Sequence, residues 1–409
     1  MFTFDHPQFP QELISFIPVH RVSSVEQDVH TNSCFNKEDF FRRYCKQWFG
    51  IPVLLNQLNP DKMQSFNDVK SKMVMRNLIV RELEVISRIH HPNIMSLLSI
   101  IHDDIPRQSW DSSINLEKLA LVYERPPMGT MYEYIQSNPN ALSTLSALIV
   151  ACQLSEALLF LHSSGIIHCG VTPHAVYMYA LDRVKLGNFE YSQYIHVIEN
   201  QENDNQPYTT AHNNNTSMHK SKSHSHHHHR SDYPFHKTNP PPPTPLLPHH
   251  HYRDPQPNQL PSIYNLLFGI YYLPANYLSD WLPLELYDST KQLFHYINTT
   301  TTTTTTDTTD NTTDNSSSLN FSDILQCIPL NEIIQTIQPT LTSDVYSLAK
   351  LIQFILPKLK QIPNNFNEYL LNTPNNLSAL IDSALKSNSD ERLSMRQLNR
   401  LLIHFYWVS

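Results

Sequence analysis

A long apolar segment, from Ser143 to Ser163, constrains the fold of this chain more than any other feature of its sequence. The segment reads STLSALIVACQLSEALLFLHS, contains neither glycine nor proline, and predicts one helix that is buried or amphipathic. Gly165 lies just beyond it and is a favourable residue for ending a helix. Two short strands are predicted next, at 174–179 and 183–187. The segment therefore predicts a domain in which a buried helix leads into a pair of strands.

Both sides of this segment also carry patterns of secondary structure. Residues 50–58 (GIPVLLNQL) are typical of a buried strand. Apolar side chains recur at helical spacing in residues 73–90, and Pro92 ends this pattern because proline disfavours a helical conformation in the residue before it. The other predicted elements are strands at 94–101 and 118–124 and helices at about 343–356, 376–386 and 394–405.

Two stretches of low complexity interrupt these patterns. The first, at about 201–259, contains the runs Asn213–Asn215 and His226–His229, and the second, at about 298–320, is dominated by threonine. Neither contains enough apolar residues to offset the entropy lost on ordering. We therefore expect both stretches to be disordered inserts.

Net charge and cysteine usage argue against several classes of protein. Lysine plus arginine total 29 and aspartate plus glutamate total 37, a formal net charge of −8 without a basic stripe, so no nucleic-acid partner is expected. Five cysteines occur without a Cys-x-x-Cys pair, which argues against a disulfide framework or a structural zinc site. No apolar run reaches membrane-spanning length, and the first residues lack the pattern of a signal peptide. We expect a cytoplasmic protein with no membrane partner.

Three segments follow one another in an order and at spacings found in one large family. They are RELEVISRIHHPNI, LALVYERPPMGTMYEYI and LLFLHSSGIIHCGVTPHAVYMYALDRVKLGNFEY, and together they resemble the eukaryotic protein-kinase domain. Further on, WLPLE at 281–285 resembles the segment that ends in Ala-Pro-Glu in kinases. SDVYS at 343–347 resembles the start of helix αF, and DERLS at 390–394 resembles the segment with the family's conserved arginine.

The resemblance implies an α+β fold of two lobes. In this bilobal protein-kinase-like fold the N-lobe is an antiparallel sheet plus helix αC, and the C-lobe is mainly helical. Residues 45–124 would form the N-lobe, and residues 125–409 would form the C-lobe with both low-complexity inserts. Residues 1–44 would be an N-terminal segment or a degenerate start of the N-lobe.

Some segments resemble one subgroup of the kinase family. Three segments are similar to the inactive testis-expressed kinase-like proteins of germ-cell intercellular bridges. They are LVYERPPMGTMYEYI, HAVYMYALDRVKLGNFEYS and SDVYSLAKLIQFIL. Those proteins carry ankyrin repeats and a Gly-Pro-Pro-x-x-x-Tyr peptide, and this sequence has neither. A bridge function is therefore not carried over.

Kinase chemistry depends on a glycine-rich loop and a strand lysine that hold the phosphates. Where the resemblance places the loop, between about 15 and 49, the sequence has no glycine. The resemblance places Asn56 at the lysine position and Glu82 at the glutamate position of helix αC. A neutral amide cannot pair with both that carboxylate and a phosphate. We expect Glu82 to be a solvated or amide-bonded residue of its helix.

The residues that accept a proton and hold magnesium in kinases are also replaced. The resemblance puts Gly170 at the position of the proton acceptor, Thr172 at that of the loop lysine and Ala175 at that of one metal ligand. Asn188 replaces the other metal-binding acid, and an amide brings no charge to magnesium. Glu190, two residues later, is a substitute acid only in the alternative hypothesis below. No catalytic residue and no metal site are expected.

Bulky residues fall on the positions that surround adenine in kinases. By resemblance, Leu54 replaces a small alanine above the base, Tyr177 replaces a leucine beneath it, and Tyr123 is the gatekeeper. Larger side chains in an apolar slot favour packing among themselves over binding of a ligand. We expect a vestigial nucleotide cleft and no cofactor.

The structural residues of the kinase fold are retained. The resemblance implies a buried ion pair between Glu285 and Arg392, and Cys169 is expected to be an unreactive thiol. His168 is expected to be a core histidine satisfied by backbone carbonyls. The resemblance also implies a hydrophobic column, anchored on Asp344, of Ile86, Leu97, His168 and Phe189.

Three hypotheses follow for function. The first is a pseudokinase that acts as a protein-binding scaffold or allosteric module through its C-lobe or its inserted loops. The alternative is a residual ATP-dependent protein kinase that uses Lys46 or Lys62 from elsewhere and Glu190 for a metal ion. The third is that the chain is part of a longer multidomain protein whose partner choice lies outside it.

The first low-complexity stretch offers two further binding features. Pro240–Pro245 has the P-x-x-P spacing of a polyproline II ligand for an SH3 or WW domain, with a plain spacer as the alternative. Eleven histidines lie between His212 and His251. They could bind transition metals, although a solvated tract without a specific metal is the preferred interpretation.

Overall fold

The computed structural model describes the elements that the kinase resemblance predicts. The low-complexity stretch at 201–259, with Pro240–Pro245 and its histidines, lies outside the described residues, as does 305–320 of the second stretch. The described residues are 19–20, 25–26, 39–102, 116–139, 142–195, 262–304, 321, 333, 337–356 and 377–408.

The described strands of the N-lobe form one twisted sheet. Its spatial order is β1-β5-β6-β4-β3-β2. Every pairing is antiparallel except the short contact of β1 with β5, which is parallel. The strands are β1 (Val19–His20), β2 (Val25–Glu26), β3 (Phe41–Trp48), β4 (Ile51–Leu58), β5 (Leu97–His102) and β6 (Leu119–Glu124).

The hairpin of β3 and β4 differs from the sequence-based expectation. All eight residues of β3 pair with β4, so the sheet begins before the boundary predicted at residue 45. The two-residue turn has positive φ at Phe49 (50°) and Gly50 (74°), as a tight hairpin with the right-handed twist of its strands requires. The alternation in β3 was hidden because one of its inward-facing residues is an arginine, Arg43.

The helix predicted at 73–90 is longer at its start and shorter at its end. It is α2, Val69–Ile86, and it follows the short helix α1, Pro60–Ser65. Asp68 caps α2 because its side chain accepts a hydrogen bond of 2.7 Å from the backbone N–H of Ser71. The cap explains the earlier start.

The long apolar segment forms α4, Thr144–Ser163, and lies at the centre of the C-lobe. By length and composition alone this helix could cross a membrane, contrary to the expectation for the chain. In the structure α4 packs against α7 (Leu341–Ile355) and α9 (Met395–Val408), where Asn399 donates a hydrogen bond of 2.9 Å to the Ser155 hydroxyl. Its apolar character therefore serves the core of the lobe.

The remaining elements complete the C-lobe. The helix α6, Leu284–Thr304, extends into the first threonines of the second low-complexity stretch. Leu286 and Thr290 are buried and anchor its early turns, and the backbone ladder continues into the threonines. The elements are α3 (Met131–Ser137), β7 (Ile166–Ile167), β8 (Val176–Ala180), β9 (Arg183–Leu186), β10 (Gln193–Tyr194), α5 (Ile263–Tyr272), α6 (Leu284–Thr304) and α8 (Leu377–Ala384).

An ion pair ties the start of α6 to the segment before α9. The Arg392 guanidinium donates to both carboxylate oxygens of Glu285, at 2.6 and 2.7 Å. It also donates to the backbone carbonyls of Lys386 (2.6 Å) and Ser387 (3.0 Å). The pair implied by the kinase resemblance is therefore present, and the buried guanidinium has several acceptors.

We expect removal of this guanidinium to destabilise the C-lobe. Arg392→Ala leaves Glu285 and two carbonyls without their donor, so the free energy of unfolding should fall by about 3 kcal/mol. Urea denaturation measures the change, with Arg396→Ala, an exposed arginine on α9, as the matched control. A loss no larger than that of the control would contradict a structural role for the pair.

Candidate functional site

Asp344, near the start of α7, fixes the loop that would be catalytic in a kinase. Its carboxylate accepts hydrogen bonds from the backbone N–H groups of His168 (2.8 Å) and Cys169 (3.0 Å). Cys169 has a φ of 58°, which a residue with a side chain rarely adopts, and the two bonds hold it there. Burial raises the pKa of the Cys169 thiol well above its ordinary value, and the Asp344 charge adds to the effect. The thiol form is the unreactive one.

His168 is a core residue, as expected. Its Nε2 lies 3.0 Å from the Gly187 carbonyl, and its Nδ1 accepts from the Gly170 N–H at 3.2 Å, so only one of its two partners is a carbonyl. Burial lowers the pKa of the imidazole, which favours the neutral form. The ring also packs against Phe189 at 5.0 Å.

The other predicted members of the hydrophobic column are placed on the N-lobe side. Ile86, at the end of α2, is buried, and Leu97, at the start of β5, is half-buried and packs against the same core. Ile86, Leu97 and Phe189 therefore belong to one hydrophobic core that includes residues of both lobes.

Gly170, at the position of the missing proton acceptor, has little free space around it. A Cβ atom at Gly170 would lie 3.3 Å from the ring of Tyr191 and 3.6 Å from that of His168. A side chain there would require the buried ring of Tyr191 to shift by a few tenths of an ångström. Thr172 and Ala175, at the positions of the loop lysine and one metal ligand, are buried too.

The cation in the cleft is an arginine that motif comparison missed. Arg43 lies on β3, directly across the ladder from Asn56. It is buried and forms ion pairs with Asp39 and, at 3.2 Å, with Glu190. Burial works against the charged guanidinium, but the attraction of Asp39 and its neighbours raises the pKa of Arg43 overall.

The two lysines of the alternative hypothesis lie elsewhere. Lys46 is on the opposite face of β3 from Arg43, with its ammonium 5.4 Å from the centre of the Tyr44 ring. Lys62 is on α1 and lines a groove beside Phe66. The structure brings neither lysine to Glu190.

A tyrosine that precedes the WLPLE segment completes the cluster around Arg43. The Tyr277 hydroxyl donates to Asp39 and accepts from Arg43 at 3.3 Å. Its ring stacks on His174, with centroids 4.4 Å apart, and His174 stacks in turn on Tyr132 at 4.0 Å. Burial lowers the pKa of His174 to about 4, so its ring is neutral at physiological pH.

The cleft cluster, defined as Asp39, Arg43, Glu190 and Tyr277, therefore connects the N-lobe sheet to two segments of the C-lobe. Sequence reasoning identified Glu190 alone among its members. Motif spacing gave no signal for the others.

Glu82 is buried, so the solvated alternative is wrong, whereas a hydrogen bond from an amide is present through the backbone of Phe189. Its carboxylate is buried and accepts hydrogen bonds from the hydroxyl of Tyr123, at 2.6 Å, and from the backbone N–H of Phe189. Burial raises the pKa of Glu82, although both hydrogen bonds favour its ionised form. The Tyr123 hydroxyl, at the gatekeeper position, therefore contacts Glu82 where a kinase would use its strand lysine.

Burial also raises the pKa of Glu190, to about 8. Arg43 opposes this shift, but the neighbouring carboxylates of Glu82 and Asp39 reinforce it. One oxygen of Glu190 and one of Asp39 have no hydrogen-bond partner in the part of the chain that the structure describes. Three acidic groups thus share one guanidinium in a site without bulk water, and a bound proton relieves their repulsion.

The slot that would hold adenine is filled. Leu54 and Tyr177 are both buried, and the Tyr177 hydroxyl donates to the side-chain oxygen of Asn188 at 2.8 Å. The Tyr177 ring lies so close to Gly187 that a Cβ atom there would be 2.9 Å from it. Asn188 thus directs its oxygen at a tyrosine, and these residues do not fit ATP with magnesium.

The raised pKa of Glu190 predicts a pH-dependent stability. Between its ordinary pKa of 4.5 and about 8, the folded protein binds more proton than the unfolded chain. The free energy of unfolding should therefore fall as the pH rises through this range, by at most about 1.4 kcal/mol per pH unit for one group, and level off above it. Glu82, with its raised pKa, adds to the slope.

Urea denaturation across this pH range measures the slope. Glu190→Gln cannot titrate and should give a shallower slope, whereas Glu391→Gln, which changes an exposed carboxylate, should keep the wild-type slope. Equal slopes for Glu190→Gln and wild type would show that Glu190 does not hold the proton.

Comparison with known proteins agrees with this arrangement of elements. Residues 62–222 match the family model of the protein kinase domain. The inactive serine/threonine-protein kinase TEX14 of Mus musculus is 29% identical over 124 residues, 30% of this chain and 8% of the relative. TEX14 of Bos taurus is 29% identical over 147 residues, 35% of this chain and 9% of the relative.

Active kinases are similar as well. An Aurora kinase of Yarrowia lipolytica is 28% identical over 176 residues, 39% of this chain and 43% of the relative. The chain matches less than a tenth of the length of the two TEX14 relatives. The match and the fold together lead to one conclusion: the chain contains a protein-kinase-like domain that is related to TEX14.

Proposed function

We propose that this chain is a pseudokinase, which keeps the kinase fold, transfers no phosphoryl group, binds no ATP and acts by binding other proteins as a scaffold or allosteric module. The observation that carries the proposal is the cleft cluster. In this cluster Arg43 is held by Asp39, Glu190 and Tyr277 in the space where a kinase would need room for phosphates and metal.

The residues around the cluster support the proposal that the chain transfers no phosphoryl group. Phosphoryl transfer by kinases depends on positioning and on neutralising charge with a lysine, an aspartate and bound magnesium. Asn56, Gly170, Ala175 and Asn188 supply none of these charges. The relatives named as inactive kinases point in the same direction.

A residual protein kinase is the second candidate, and one observation favours it. Arg43 brings a positive charge beside Glu190 and close enough to Glu82 to affect its pKa. In this hypothesis the guanidinium, in place of a lysine, would hold phosphates and Glu190 would hold metal. Arg43 and Glu190 would first have to break their ion pair, and the Tyr177 side chain would have to move out of the adenine slot.

The partners and the compartment are also part of the proposal. We place the protein in the cytoplasm and assign its binding to the C-lobe or the inserted loops, with an SH3 or WW domain as the candidate for Pro240–Pro245. The acidic balance of the chain supports a protein partner over a nucleic acid.

We expect no binding of ATP by the wild-type protein, with or without magnesium, because its own side chains fill the slot. Thermal-shift and calorimetric titrations measure binding, and a radiolabelled assay measures autophosphorylation. A thermal shift at submillimolar ATP, or label incorporation that Glu190→Gln abolishes, would support the residual kinase and overturn the proposal.

A variant with an opened slot is the matched control for this negative result. The double change Leu54→Ala and Tyr177→Leu introduces the alanine and the leucine that the kinase resemblance places above and below adenine. This variant should bind adenosine more strongly than wild type does, because an apolar cavity is then available. Its autophosphorylation should remain at the background level, since no catalytic charge has been added.

Deletion of each insert should locate partner binding. Removing residues 201–259, or residues 305–320 so that α6 stays intact, leaves every described element in place. If the loops carry binding, affinity purification with one deletion should lose partners that wild type retains. Retention of all partners by both deletions would assign binding to the folded domain instead.

A further inference from the structure

The outward face of α9 carries a stripe of side chains that belongs neither to the cleft cluster nor to the core of the C-lobe. Its members lie four, three and four residues apart along about three turns, which is the spacing of the a and d positions through which one helix packs on another. All are exposed except Ile403, which is half-buried. We call this stripe the α9 seam, and it consists of Arg396, Arg400, Ile403 and Trp407.

The opposite side of α9 carries a second stripe with the same kind of spacing. Its apolar residues are separated by three, four and three positions, are buried, and belong to the core of the C-lobe, where α9 packs against α4. They are Met395, Leu398, Leu402 and Phe405. One helix-packing stripe of α9 is thus covered by the domain itself, whereas the α9 seam is largely open to solvent.

The charges of the α9 seam are not balanced within the helix. α9 contains two arginines and neither aspartate nor glutamate. Neither Arg396 nor Arg400 forms an ion pair or a hydrogen bond with any residue that the structure describes. The acidic residues closest in sequence, Asp390 and Glu391, precede the helix, and Glu391 pairs with Lys386 at 3.4 Å. The seam is therefore a local positive surface on a chain whose formal net charge is −8.

The stability of α9 does not account for these two arginines. Arg396 is the second residue of the helix, at the end where the helix dipole disfavours a positive charge. Arg400 lies one turn further on, and like charges four residues apart on a helix repel each other. Both effects are small, but no acidic side chain offsets them among the described residues. The arginines are better explained by contact with another molecule.

Trp407 forms the apolar end of the α9 seam. It is 78% exposed, and Val408 beside it is 53% exposed. Tryptophan and arginine are the side chains that most often contribute strongly to binding at protein interfaces. The seam thus combines two unpaired guanidinium groups at one end with an exposed indole ring at the other.

We propose that the α9 seam packs against a helix of a partner protein that has carboxylates at one end of its contact stripe and apolar side chains at the other. The carboxylates pair with Arg396 and Arg400, and the apolar side chains pack on Ile403 and Trp407. The unpaired positive charges select the acidic end, and the a/d spacing selects a helix. Acidic residues are favoured in the first turn of a helix, so the partner helix runs parallel to α9. This inference rests on the proposed binding function and specifies the kind of partner that one surface of the C-lobe takes.

Two peptides test the proposal on the full chain. The acidic peptide is fluorescein-labelled acetyl-Glu-Ala-Gln-Glu-Ala-Ala-Gln-Leu-Ala-Gln-Leu-Ala-Ala-Gln-amide, and the basic peptide has lysine in place of both glutamates. Fluorescence anisotropy measures their binding. We expect the acidic peptide to bind roughly tenfold more tightly, a difference of about 1.4 kcal/mol, because only its side chains can pair with both arginines.

A third peptide tests whether the occupant is a helix. It is the acidic peptide with its first Ala-Ala pair replaced by Pro-Pro, which keeps the charge but prevents a continuous helix. Its binding should be at least tenfold weaker than that of the acidic peptide. Equal binding of these two peptides would overturn the helical occupant.

Reversal of both charges in the seam provides the matching change in the protein. Arg396→Glu with Arg400→Glu should abolish the acidic preference. An acid at position 396 suits the first turn of α9, so this variant should be folded, which circular dichroism checks. The matched control, Arg183→Glu with Lys291→Glu, makes the same change in charge at exposed positions on β9 and α6 and should keep the acidic preference. Equal binding of the acidic and basic peptides by wild type, or an acidic preference that survives the change of both arginines, would overturn the proposal.

Two further measurements separate this occupant from others. A wild-type dimer in sedimentation velocity that Arg396→Glu with Arg400→Glu dissociates would mean that a second copy of the chain occupies the seam. Phosphatidylserine vesicles that bind wild type but not this variant, while neither peptide binds, would mean that a lipid surface occupies it. Either result overturns the proposal. ATP binding or autophosphorylation by wild type would instead overturn the pseudokinase function and leave the peptide result unchanged, so the two failures can be told apart.

Discussion

A buried guanidinium has to be compensated inside the protein, because an isolated charge out of water costs many kcal/mol. In this molecule the guanidinium is that of Arg43, and its compensation comes from both lobes. Asp39 lies next to the same strand, whereas Glu190 and Tyr277 belong to the C-lobe. The contacts of Arg43 with Glu190 and Tyr277 therefore also draw the lobes together across the cleft.

The same principle explains how the polar remains of a kinase site are accommodated. Glu82 turns to the gatekeeper hydroxyl of Tyr123, and Asn188 accepts from Tyr177. Tyrosine suits this task because its ring fills apolar space while its hydroxyl satisfies a buried oxygen. Asp344 meanwhile keeps the backbone of the former catalytic loop in its strained conformation. The frame of a kinase is retained around a cleft whose space and hydrogen-bonding groups are used internally.

The sequence predicted this frame well, because fold-defining residues recur at fixed motif positions. The apolar pattern predicted the helix at 143–163, and the kinase resemblance implied the pair of Glu285 with Arg392 and the buried role of His168. The roles of Asp39, Arg43 and Tyr277 could not be predicted, since these residues lie outside every motif. Their partners are also far away in sequence: Glu190 is 147 residues from Arg43, and Tyr277 is 238 residues from Asp39. Local patterns describe which face of a strand is buried, but they do not tell which distant acid will meet a buried arginine.

Hydrogen exchange tests most directly whether the cleft cluster holds the lobes together in place of a nucleotide. This role of the cluster predicts that amides of β3 and of the segment around Tyr277 exchange slowly, and that excess ATP with magnesium leaves their rates unchanged. It also predicts that Arg43→Ala accelerates both segments together, although they are far apart in sequence. Protection of β3 by ATP, or acceleration of β3 without the Tyr277 segment, would contradict it.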